Sequence, residues 1–150
     1  MKVVIAINEP GFAQIISHFV INHEWPKNAE FTVLSVLEPM KLGNVMAVLP
    51  GPILDDIMAA QKKTASELCQ STVQAIKTGL HTDAVKAEII EGFPKDEIVS
   101  YATANGANLI VIGSHDRKGL ERLMLGSVSL AVVCHAHCTV TVVRASSEAN

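Results

Sequence analysis

Rings are scarce in this chain, with four Phe, one Tyr and one Trp among 150 residues. A core built almost without them must be aliphatic. Apolar residues nevertheless make up 49% of the sequence, mostly Val, Ile, Leu, Ala and Met, the usual content of parallel strands covered by helices on both faces. Cysteine is sparse as well. Cys69, Cys134 and Cys138 are odd in number and too few for a disulfide framework, so a reducing, cytoplasmic compartment is expected. Long apolar runs are missing: Met1-Lys2 is followed by only five apolar residues, Val3 to Ile7. That run is shorter than a signal h-region and far shorter than a membrane span. Positive charge is not in excess, and a net charge of −3 gives no electrostatic reason to approach nucleic acid or an anionic membrane. The sequence holds no Gly-x-Ser-x-Gly elbow and no Gly-x-x-x-x-Gly-Lys-Ser/Thr loop. No pair of carboxylates is placed for acid–base work, so no catalytic residue is assigned.

What remains is a regular alternation. Val3 to Ile7 reads as a strand, followed by Phe12, Ile15, Ile16, Phe19, Val20 and His23 at helical steps. Phe31 to Leu37 is a second strand. Glu38 to Gly51, with Pro39, Gly43, Pro50 and Gly51, reads as a long and unusually apolar loop. Leu54, Ile57, Met58, Gln61, Ala65, Leu68, Thr72 and Ile76 then keep the helical step, a stripe read as core. Asp55 and Asp56 suit the start of that helix, and Gly79 its C′ position. Val85 to Ile90 is a third strand, and Pro94, Glu97 and Gly106 bound a third helix. Leu109 to Ile112, Ser127 to His135 and Thr139 to Val143 complete the series as strand, helix and strand. Five such alternations argue for a doubly wound α/β fold with a parallel sheet and right-handed crossovers. A chain of this length makes one domain, taken as 1–145 with a frayed tail at 146–150.

The most informative segment follows the fourth strand: Gly113-Ser114-His115-Asp116, nine further residues, then Gly126-Ser127. A strand, a glycine-containing turn and a helix opened by Gly-Ser form an anion site. The first N–H groups of a helix have no intrahelical partner, and the aligned peptide dipoles favour negative charge there. Glycine lets a phosphate approach the backbone, and the Ser127 hydroxyl adds a donor. The plainer reading, a tight turn with an N-cap, serves any strand–helix unit equally well.

These residues resemble the universal stress protein family, whose nucleotide-binding members carry Gly, two residues, Gly, nine residues, then Gly and Ser or Thr. In this chain Asp116 holds the second glycine position. Arg117, Gly119-Leu120, Arg122-Leu123, Leu125 and Val128 also look like the family, as do Glu91-Gly92-x-Pro94, Gly106 to Val111 and Val140 to Arg144. The resemblance implies a five-stranded sheet in the order 3-2-1-4-5, of the adenine nucleotide alpha hydrolase-like kind. In that order strands 1 and 4 are neighbours whose connections run in opposite senses, and their C-terminal ends open a crevice. The loops Asn8 to Gly11 and Gly113 to Leu125 would line it. The resemblance further implies ATP or a related adenine nucleotide as a regulatory ligand. Adenine would lie by Val36 and Leu37, ribose by Asn8 and Gly113, and phosphates by the 113–116 turn (Ser114, His115, Asp116), Gly126, Ser127 and Val128. Where the family's binders commonly place Asp at the end of strand 1, this chain has Asn8, which keeps an acceptor and adds donors. Asp116 sets a carboxylate beside the phosphates, an arrangement that favours Mg²⁺ between them. No Ser-Gly-Gly-x-Asp-Ser run follows strand 1, as it does in ATP-cleaving synthetases.

Two other features carry expectations. Cys134-His135-Ala136-His137-Cys138 spans a helix end and a turn, so its side chains diverge, and no metal site is assigned to it. Thr139 to Val143 would be an uncharged edge strand, through which family members commonly pair as homodimers. A dimeric interaction module without nucleotide is the competing reading of the whole chain.

Overall fold

The central apolar runs become strands flanked by strands on both sides, and the outer two close the sheet as its edges. A computed structural model describes residues 1–39, 51–114 and 125–144. The elements run β1 (Lys2–Ile7), α1 (Pro10–Ile21), β2 (Glu30–Leu37), α2 (Gly51–Leu80), β3 (Val85–Glu91), α3 (Pro94–Ala104), β4 (Leu109–Ser114), α4 (Ser127–His135) and β5 (Thr139–Arg144). All pairings are parallel and the sheet order is β3-β2-β1-β4-β5. Most of the expected loop Glu38–Gly51 and the expected tail 146–150 lie outside the described residues.

Alternation along the strands divides the core in two. Val3, Ile5 and Ile7 of β1, with Phe31, Val33 and Val111, pack against Ala13, Ile16 and Val20 of α1 and Cys69 and Ile76 of α2. Val4, Ala6, Leu34, Ile110 and Ile112 pack on the opposite face against Ile98 and Ala102 of α3 and Val132 of α4. Ile5 and Ile110 are 0% exposed. Burying such a side chain contributes about 1.5–3 kcal/mol, so both helical layers are held by strands with no polar face.

Several boundaries differ from those read in the sequence. The first helix begins at Pro10, so the loop after β1 is only Asn8 and Glu9 rather than Asn8 to Gly11. Proline at the first helical position loses no hydrogen bond, and Glu9 before it is extended (φ −137°, ψ 146°) as proline demands. Helix α2 begins at Gly51, which places Asp55 and Asp56 beyond its first turn. The third and fourth strands run further than expected, to Glu91 and Ser114. Gly106, in contrast, sits at φ +63° as read. Its N–H donates to Thr103 O (3.2 Å) and that of Ala107 to Ala102 O (2.8 Å), which closes α3 in a Schellman motif.

Helix α2 departs most. Its 30 residues span about 45 Å, well over the length of any strand it covers. No residue before Ala65 is buried, and Ile53 and Met58 are 45% and 48% exposed. The Met- and Ala-containing stripe is therefore core only in its second half. Gly79 lies inside the helix rather than at C′. The left-handed position belongs to His81 (φ +52°), and Thr82 N–H reaches back to Lys77 O at 3.2 Å. Glycine stands at 79 because α1 crosses there: a Cβ would meet three side-chain atoms of Ile21 at 2.6–2.7 Å.

That contact opposes helix propensity. In an exposed helix Gly→Ala adds about 1 kcal/mol, whereas overpacking costs about 1–3 kcal/mol. We expect Gly79→Ala to lower stability in urea denaturation and Ile21→Ala to cancel the loss in the double mutant. A stabilised single mutant would contradict this packing.

Candidate functional site

Strand β1 stops before its neighbours do. Its last pair with β2 is Ile7↔Ser35, while β2 continues through Val36 and Leu37. On the other side the last β1–β4 pair is Ala6↔Ile112, and β4 continues through Gly113 and Ser114. The chain turns away at Asn8-Glu9-Pro10, leaving a cleft of about 1290 Å³ at the C-terminal ends of the strands. This is larger than the roughly 300–1,000 Å³ usual for a ligand site. Asn8, Val36, Leu37, Gly113, Gly126, Ser127 and Val128 all line it. Seven of the ten residues singled out in the sequence thus converge. His115 and Asp116 lie outside the described residues, and Ser114 has a different role.

The Ser114 side chain is 2% exposed and faces α4, where its hydroxyl oxygen accepts the Gly126 N–H at 3.4 Å. This long bond ties the end of β4 to the start of α4. Gly126 is the N-cap, and no side chain caps the helix. Its carbonyl accepts Leu130 N–H (2.9 Å) and the Ser129 hydroxyl (3.0 Å), so Ser129 is turned inward. The N–H groups of Ser127, Val128 and Ser129 belong to the first turn and have no intrahelical acceptor. With Ser127 exposed, that turn presents donors and the positive end of the helix dipole to the cleft.

The two residues at the end of β2 are not equivalent. Odd-numbered residues of β2 direct their backbone groups toward β3: Phe31 N–H donates to Ala84 O (2.8 Å), and Leu37 O accepts Gly92 N–H (3.0 Å). Even-numbered residues face β1, as Glu30 N–H does in donating to Met1 O at 2.8 Å. Val36 therefore turns its carbonyl toward β1 just past the end of the β1–β2 ladder, while Leu37 is held by β3. Only Val36 offers a backbone edge to the cleft.

Gly113 has a packing reason that the sequence did not disclose. A Cβ there would lie 2.7 Å from Phe12 Cδ1 and 3.4 Å from Ile16 Cδ1. Close approach of α1 is by itself enough to require glycine at this position. The sequence reading also missed the wall formed by α2, which brings Ile57, Ala60, Gln61 and Thr64 to the cleft, and the floor residue Ser35.

Outside the cleft, all three cysteines are free thiols. His135 Nδ1 lies 2.8 Å from Ala131 O on its own helix. Among the described residues, no group of three or more His, Cys, Asp or Glu side chains is placed to hold a metal, and no helix is long and apolar enough to cross a membrane. Burial pushes the Cys69 thiol up to about 11 from its ordinary 9.0, and raises Cys138 less.

The universal stress protein family matches residues 1–144. The chain belongs to this family. Universal stress protein MJ0531 of Methanocaldococcus jannaschii is 28% identical over 143 residues, 95% of this chain and 81% of that protein. The universal stress protein YxiE of Bacillus subtilis is 28% identical over 149 residues, 95% of this chain and 98% of its own. Among solved structures, UspA from Lactobacillus plantarum superposes with a TM-score of 0.73 at 26% identity, covering 96% of this chain and 97% of that one. A family protein from Arabidopsis thaliana with AMP bound gives 0.70 at 18% identity, over 99% and 94%. A universal stress protein in complex with cAMP gives 0.68 at 17% identity, over 97% and 98%. The Archaeoglobus fulgidus protein in complex with dAMP gives 0.63 at 20% identity, over 95% and 97%. At those identities the last three establish the fold.

For this universal stress protein the cysteines supply a direct check of the packing. Cys69 is 0% exposed and Cys134 exposed, and the thiolate is the reactive form. Iodoacetamide at mildly alkaline pH should label Cys134 quickly and Cys69 only on unfolding. Because the folded pKa of Cys69 is raised, its contribution to stability is complete below about pH 9 and is lost as pH rises toward about 11. A Cys69→Ala variant should lack that part of the alkaline loss. Fast labelling of Cys69 in the native chain would contradict its place between α2 and the sheet.

Proposed function

We propose that this universal stress protein binds an adenine nucleotide, ATP or a close relative, in the switch-point cleft as the regulatory ligand of a cytoplasmic stress response. The observation that carries the reading is the convergence of three unlike groups on one cleft: the Asn8 amide, the Val36 carbonyl and the uncapped start of α4. They match the parts of a nucleotide in kind. A backbone carbonyl accepts from an exocyclic amine, a side-chain amide both donates to and accepts from ribose hydroxyls, and helix N–H groups take phosphate. Hydrogen bonds to a charged group contribute about 1.5–3 kcal/mol each, so the phosphate end supplies most of the binding. Relatives of the same fold that hold AMP, dAMP and cAMP support the adenine class. The ligand is read as a signal rather than a substrate.

Gly126 offers the sharpest test. Its φ of −60° and ψ of 155° are extended values that valine adopts readily, so Gly126→Val leaves the backbone intact while placing a branched side chain at the phosphate end. Calorimetry with ATP should show at least a tenfold loss of affinity in a variant that melts like the wild type. Unchanged affinity would place the ligand elsewhere. The Asp116 carboxylate adds a metal dependence: a like charge about 4 Å from a phosphate costs about 1 kcal/mol in water and about 4 kcal/mol at an effective dielectric of 20. ATP should therefore bind more tightly with Mg²⁺ than with EDTA, and Asp116→Gly should tighten binding in EDTA. Equal affinity in both conditions would remove Mg²⁺ from the account.

A second reading, a dimeric interaction module, rests on the contrast between the two sheet edges. Strand β3 carries Lys86, Glu88 and Glu91, with Lys86 Nζ 3.1 Å from Glu88 Oε1, and such charges blunt an edge. Strand β5 has no charge from Thr139 to Val143. We propose that this edge pairs with the same strand of a second copy. Thr141→Pro removes a donor in mid-strand and adds a steric block. It should shift the chain toward monomer in sedimentation, with some loss of stability. A wild-type chain that sediments as a monomer throughout would overturn the dimer.

A further inference from the structure

Among the described residues five polar ones are buried: Ser17, Ser35, Thr72, Ser114 and Ser129. Four are explained by bonds within the chain. Ser17 donates to Ala13 O (2.6 Å), Thr72 to Leu68 O (2.8 Å) and Ser129 to Gly126 O (3.0 Å), and Ser114 accepts Gly126 N–H. The fifth, Ser35, is 4% exposed, and its hydroxyl makes no hydrogen bond to the described residues. Every fully enclosed side-chain polar atom among those residues has a partner, so the Ser35 hydroxyl must open on the cleft it lines. A hydroxyl that has no side-chain partner and opens on the cleft is free to bond whatever occupies it, since polar groups shielded from bulk water are as a rule hydrogen-bonded.

Its surroundings indicate what that occupant is. Ser35 lies on the face of β2 shared with Phe31 and Val33, toward α1 and α2. Phe12, Ile57, Ala60 and Leu68 border the same cleft. A largely apolar slot with the Ser35 hydroxyl on its floor suits a flat heterocycle whose edge carries hydrogen-bonding atoms. One residue further along β2, the Val36 carbonyl lies past the end of the β1–β2 ladder, so consecutive residues bring a hydroxyl and a carbonyl to the same cleft. A nucleobase edge, with donor and acceptor adjacent, meets both.

We propose that Ser35 contacts the base of the bound nucleotide, which lies in the slot between the end of β2 and helix α2. This rests on the nucleotide reading above and adds to it a side-chain contact to the base. The contact also gives the overhanging half of α2 a role, because Ile57, Ala60 and Gln61 wall the slot before the helix reaches its first buried residue, Ala65.

The test compares wild type with Ser35→Ala in two measurements, ATP affinity by calorimetry and the melting temperature without ligand. The hydroxyl has no partner among the described residues, so its removal should leave the ligand-free melting temperature unchanged or raise it. It should also weaken ATP about five- to tenfold, the usual worth of one hydrogen bond. A variant that binds ATP as wild type does overturns the contact, as does one whose melting temperature falls, since that assigns Ser35 a structural bond instead. In either case nucleotide binding by the wild type stands. A wild-type chain that binds no adenine nucleotide overturns the nucleotide reading itself and this contact with it.

Discussion

Everything at the candidate site depends on where β1 ends. The strand is paired on both edges, with β2 from Lys2 to Ile7 and with β4 from Val3 to Ala6, and its neighbours run on without it. The stop is enforced by Pro10, which has no N–H for a ladder and is already set for the first turn of a helix. Had β1 continued for two more residues, Val36 would be paired and the crevice closed. A single residue type thus connects backbone chemistry to the existence of a site. The rule that open α/β sheets bind at the point where strand order reverses has here a local cause in Asn8-Glu9-Pro10.

The second constraint is close packing of helices against that opening. Gly113 and Gly79 are glycines because α1 comes too near for a side chain, at Phe12 in one case and Ile21 in the other. These contacts hold α1 against both β4 and α2, and with it the start of the helix that borders Asn8. On the other face Ser114 anchors the start of α4 to the end of β4. The two rims of the cleft are therefore fixed by core contacts, and the donors of α4 are preorganised rather than assembled by a ligand. Preorganised groups lose less freedom on binding.

The strands were legible because buried parallel strands read as short, uninterrupted apolar runs such as Val3–Ile7 and Leu109–Ile112, whereas their order came from the family resemblance carried by Gly113 and Gly126-Ser127. Gly106 was legible too, since a helix that ends there needs a left-handed residue. Gly79 and Gly113 misled because the sequence shows that glycine is required but not whether a turn, a ligand or a neighbouring helix requires it. The overhang of α2 was hidden for a related reason. Its first half keeps the helical period that marks a core face, yet the sheet beneath it ends before Ala65. Ser35 left a signal that went unused: in Phe31-Thr32-Val33-Leu34-Ser35 it is the polar member on the alternate positions that Phe31 and Val33 mark as inward. A polar residue on the buried side of a strand asks for a partner, and only the structure shows that the described residues provide none for its hydroxyl.

The account's central claim is that one ligand spans the cleft from β2 to α4. Titration of ¹⁵N-labelled protein with AMP, followed by amide chemical shifts, tests it most directly. The largest shifts should fall at Asn8, at Ser35 to Leu37 and at Ser127 to Ser129, all following a single binding curve. Shifts confined to the opposite end of the sheet, near Lys86 and Tyr101, or two groups moving with different affinities, would contradict a single nucleotide held between the two rims.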